Sequence, residues 1–133
     1  MRLIICFAIL YFASCKHNHK TSASSDQPLY QEVMAIHDKV MPEMSTIHQL
    51  KKDLKALEKP ETREIILNHV KELDDADEAM MSWMADFKIP EDKNKEEGYL
   101  LSEKEKIKQV SDVMYGSMER AKQLIDSLQI QNK

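Results

Sequence analysis

Apolar residues recur at alternating steps of three and four along most of this chain, a spacing that lines one face of an α-helix and has no counterpart in a strand. Val33, His37, Val40, Met44, Ile47, Lys51 and Leu54 make the first such row, flanked by Met34, Met41 and His48. Ile66, His69, Leu73, Ala76, Met80, Trp83 and Phe87 make the second, joined by Val70, Asp77 and Met84. Ile107, Val110, Met114, Ser117, Ala121, Leu124 and Leu128 make the third. With only two glycines in 133 residues, the chain also lacks the punctuation that hairpin turns demand. The fold class is therefore all-α and the length suits one domain.

The breaks between the rows set the topology. Lys59-Pro60-Glu61 ends one helix and opens the next, because the residue before proline leaves the α region and proline followed by glutamate suits a first turn. Residues 89–101 contain Pro90, Gly98 and the charge run Glu91 to Glu97, and read as a solvated loop. Ser102 with Glu105 matches a capping box, which places the third helix start there. Helices at about 29–59, 61–88 and 102–129, with short connections, predict an elongated antiparallel three-helix bundle about 40 Å long. Pro42 falls inside the first helix, removes the bond to the Asp38 carbonyl, and must kink the helix or restart it. Methionine-rich stripes fill space without fixing a unique packing, so a protein partner or self-association is expected to complete the core.

Ahead of the bundle, residues 3–13 form an uncharged apolar run after Arg2. That is a secretory signal segment, too short for a spanning helix of about 20 residues. Phe12-Ala13-Ser14-Cys15 resembles the lipobox of bacterial lipoproteins, with Phe12 where leucine is usual. The expected division is a signal peptide at 1–14, an acylated Cys15 and flexible tether at 15–28, and the helical domain at 29–133. Acyl chains at about 0.8 kcal/mol per buried methylene make such an anchor permanent. Lys16, in place of the aspartate that signals inner-membrane retention, favours the outer membrane, with the domain in the periplasm. Cys6 falls in the discarded segment, so no disulfide staples the domain. Removing Arg2 leaves 18 of the 19 basic side chains against 23 acidic ones, a net charge near −5, which excludes nucleic acid as a partner.

Two readings compete for the methionines and histidines. Met34, His37, Met41, Met44 and His48 project from one face of the first helix, and an antiparallel turn at Pro60 brings His37 level with Trp83 and Met84, Met34 with Phe87, and His48 with Glu72 and Leu73. Thioether and imidazole together suit copper(I), so Met34, His37, Met41, Met44, His48, Met80 and Met84 form a candidate metal set; axial haem ligation uses the same groups. The plainer reading makes the methionines core and ties each histidine to a carbonyl or to a carboxylate such as Asp77. On that reading there is no cofactor. His17 and His19 are solvated tether residues. Asp38, Asp74, Asp75, Asp77 and Glu78 fall on lysine-rich surfaces, and Ser82, Ser111 and Ser117 lack a nucleophile-elbow context, so no enzyme is expected.

The segments Ile36-His37-Asp38-Lys39-Val40-Met41-Pro42-Glu43-Met44, Ile47 to Leu57, and Asp75 to Met84 with its Met80-Met81-Ser82-Trp83-Met84 end are similar to a group of small uncharacterised bacterial lipoproteins. Some of these carry the automatic label "viral A-type inclusion protein", which coiled-coil composition alone can attract. The resemblance implies a helical envelope lipoprotein of unassigned activity.

Overall fold

A computed structural model describes residues 27–131, so the apolar run, Cys15 and the His17/His19 pair lie outside the described residues. The described chain is all-helical: α1 at Pro28–Val40, a 3-10 turn at Met41–Glu43, α2 at Met44–Ala56, α3 at Arg63–Asp86 and α4 at Lys93–Gln131. None of these helices is long and apolar enough to cross a membrane. The α1, 3-10 turn and α2 segments make one arm, so three rods pack against one another.

Pro42 restarts the first arm. It sits in the opening turn of the 3-10 segment, where its missing N–H costs little, and the Met44 amide bonds back three residues to the Met41 carbonyl. Ser45 Oγ donates to the Pro42 carbonyl at 2.8 Å, satisfying one acceptor at the junction. The connection after α2 is held by Thr62, whose hydroxyl accepts the Lys59 amide at 3.0 Å. The second arm then begins at Arg63, two residues after the expected Glu61.

The third arm departs most from the sequence reading. α4 starts at Lys93, nine residues before Ser102, and its 39 residues span about 58 Å. Its real N-terminal signal is Asp92, whose Oδ1 accepts the Asn94 amide at 3.0 Å. Gly98 costs a helix interior only about 1 kcal/mol, which the burial of Leu100 outweighs. The expected loop over 89–101 therefore shrinks to the few residues between Asp86 and Lys93, and the Ser102/Glu105 pair lies inside a helix.

The core repeats in sevens. Val33, Val40, Ile47 and Leu54 on the first arm are fully buried, as are Ile66, Leu73 and Met80 on α3 and Leu100, Ile107, Met114 and Ala121 on α4. A seven-residue period falls short of two full helical turns, so it keeps the three seams facing inward only with a left-handed wrap. α4 is the common neighbour of α1, α2 and α3, and α2 also packs on α3. The backbones of α1 and α3 stand further apart, and large side chains bridge them: Tyr30 meets Phe87 at 6.2 Å and His37 meets Trp83 at 5.6 Å between ring centroids.

Candidate functional site

The bridged gap between α1 and α3 holds the densest chemistry. Trp83 stacks obliquely on Phe87 at 4.9 Å, and Phe87 in turn meets Tyr99 of α4 at 6.0 Å. His37 lies at the edge of this aromatic row, with 16% of its side chain exposed. Its Nδ1 is hydrogen-bonded to Asp38 Oδ1 at 2.9 Å, and its Nε2 is hydrogen-bonded to Met84 Sδ across the bundle at 3.4 Å. The antiparallel register placed His37 beside Trp83 and Met84, and the structure puts it there.

The other members of the Met/His set are dispersed. Met80 is fully buried in the core, while Met41 and Met44 are half-buried against it. Met34 is half-buried on α1. His48 is 59% exposed and its Nε2–H donates to Asp77 Oδ2 at 3.0 Å, beside the Lys51–Asp74 ion pair at 2.6 Å. Asp77 is one helical turn beyond the expected Glu72 and Leu73. Side chains on each helix lean toward their own N-terminus, so in an antiparallel pair the contacts on α3 shift away from the turn. His69 donates Nδ1–H to the Ile65 carbonyl at 2.9 Å. Among the described residues no three His, Cys, Asp or Glu side chains group as a metal site would need.

A second feature had no signal in the apolar pattern. A groove of about 310 Å³ opens between α3 and α4, walled by Ala79, Trp83, Val110 and Val113, with Asp86, Glu103 and Lys106 among its polar lining. Glu103 is nearly fully buried yet sits at a core-facing position, and the exposed Lys106 ammonium reaches its Oε1 at 2.7 Å. That bond, and the Glu103 charge, raise the pKa of Lys106. Trp83 contributes to both features, and its buried indole N–H has no acceptor in the structure. Glutamates at 96 and 103 interrupt the apolar row, which is why the sequence concealed both the start of α4 and this groove.

No known family, curated protein or solved structure matches this chain.

Tyr99 offers a direct check on the packing at this level. Its hydroxyl accepts the Lys88 amide at 2.7 Å. Burial raises the phenol pKa, against the Lys88 amide, which favours the phenolate, and the neighbouring Glu103 charge adds to the rise. Because the folded value lies above the unfolded one, the stability this contributes is complete below the ordinary phenol range near 10 and is lost as pH climbs through the folded value. In an ultraviolet titration Tyr99 should ionise late, and Tyr99→Phe should remove that late step. Persistence of the step in the variant would show that another tyrosine carries it.

Proposed function

We propose that this chain is a bacterial envelope lipoprotein whose helical bundle is a non-enzymatic binding module held in the periplasm by an acylated Cys15, in the outer membrane by preference. The observation that carries the reading is the order of the segments. An apolar run ends at Phe12-Ala13-Ser14-Cys15, a polar serine-rich stretch follows, and the helices begin at Pro28. The groove beside Trp83 is the face we assign to a protein partner, since its walls are apolar and Val113, half exposed, stands among them.

The test is metabolic labelling with an alkyne-tagged palmitate in a bacterial host, followed by membrane fractionation. The full chain should take up label and sediment with the outer membrane. Cys15→Ala should lose the label and leave that fraction. An unlabelled parent chain, or label retained in the variant, would overturn the anchoring.

A further inference from the structure

The groove between α3 and α4 carries a charge imbalance that its apolar walls do not explain. Asp86, Glu103 and Lys106 are its ionisable lining, two carboxylates against one ammonium, so it holds a net negative charge near neutral pH. Glu103 is 3% exposed, and Lys106 satisfies only its Oε1, at 2.7 Å; its Oε2 accepts no hydrogen bond among the described residues. The Asp86 carboxylate likewise makes no ion pair or side-chain hydrogen bond among the described residues. The Lys106 ammonium senses the resulting field: its bond to Glu103 and the Glu103 charge raise its pKa, and the Asp86 charge adds to the rise. A carboxylate oxygen so deep in a structure is costly without a donor, and a cation supplied from outside offsets that cost. Beside the carboxylates, Ala79, Val110 and the half-exposed Val113 offer an apolar strip, so an acidic or a purely apolar group would suit only half of this lining. We infer that the group a partner seats here is a lysine or arginine side chain, its charged end at Asp86 and Glu103 and its methylenes along Ala79, Val110 and Val113. The inference deepens the assignment of this groove to a protein partner and rests on it. A chain of net charge −4 also disfavours a second copy of itself as that partner.

The probe is a phage-displayed library of random dodecapeptides, selected on the immobilised full chain in non-ionic detergent and counter-selected on Val113→Arg, which fills the groove with a cation of its own. Val113 and Asp86 are exposed, so Val113→Arg and Asp86→Lys should match the parent in circular dichroism. The recovered peptides should share one lysine or arginine beside an apolar residue. In fluorescence polarisation, exchanging that basic residue for norleucine, an apolar stem without the charge, should weaken binding by more than about tenfold, and affinity should fall as salt is raised. Asp86→Lys should weaken the same peptides by more than about tenfold. Peptides that lack a basic residue, or that bind Asp86→Lys as they bind the parent, overturn the cationic occupant and leave the groove as a binding face. No enrichment over Val113→Arg overturns the groove assignment and this inference together. A parent chain that sediments as a dimer and becomes monomeric in Val113→Arg gives the groove to a second copy, and overturns the inference as well.

Discussion

Replacing Trp83 by alanine is expected to lower the unfolding free energy by about 3–5 kcal/mol, a large part of the roughly 5–15 kcal/mol available to a domain of this size. The indole is 7% exposed, touches His37 and Phe87, and helps wall the groove against α4. Its loss leaves a void where α1 and α3 are held apart by side chains alone, and rigid helices close such a void only in part. Trp83→Phe separates two contributions. It keeps an aromatic ring at the centre of the row but deletes the indole N–H, which is buried without an acceptor and costs the fold about 1–3 kcal/mol. The phenylalanine variant should therefore lose much less than the alanine variant in urea unfolding followed by circular dichroism. Equal losses would mean that the N–H makes a bond in solution.

Leu100→Ala should cost about 2–5 kcal/mol, whereas Leu101→Ala should change stability by less than about 0.5 kcal/mol. The contrast follows from burial, since Leu100 is fully enclosed and its neighbour is 52% exposed. It also tests the early start of α4. Had residues 89–101 formed a solvated loop, both substitutions would be nearly silent. A large loss at Leu100 alone requires that the helix already be packed against the rest of the bundle two residues before Ser102.

Helix class, the number of rods and the meeting of His37 with Trp83 and Met84 were legible because periodicity and one antiparallel turn are enough to derive them. Other features depend on terms that spacing does not contain. His48 meets Asp77 because side chains lean along their helices, an offset invisible in a residue count. The charge run Glu91 to Glu97 with Gly98 reads as a loop, yet α4 runs through most of it, and its inward-facing Glu96 and Glu103 are reached by the Lys93 and Lys106 ammonium groups. The Ser102/Glu105 pair imitates a helix start, yet Asp92 makes the cap. The groove arises where two rods diverge, and no single segment encodes a gap between segments. The Met/His stripe divides in the same way: its periodic positions share a face, but which of them bond across the bundle, His37 to Met84 and His48 to Asp77, depends on side-chain approach that spacing does not contain.

The role of α4 as common neighbour has a consequence for the order of events during synthesis. Apart from the α2–α3 hairpin, every principal interface of the bundle includes a residue of Lys93–Gln131, the last of these helices to leave the ribosome. Before it emerges, α1 has only the side-chain bridges to α3 to pack against, and an isolated 13-residue helix is marginal in water. The earlier helices thus remain loose until α4 has been made and then close around it. On the proposed envelope assignment, that timing keeps the polypeptide threadable for passage through a narrow translocation channel before the domain folds.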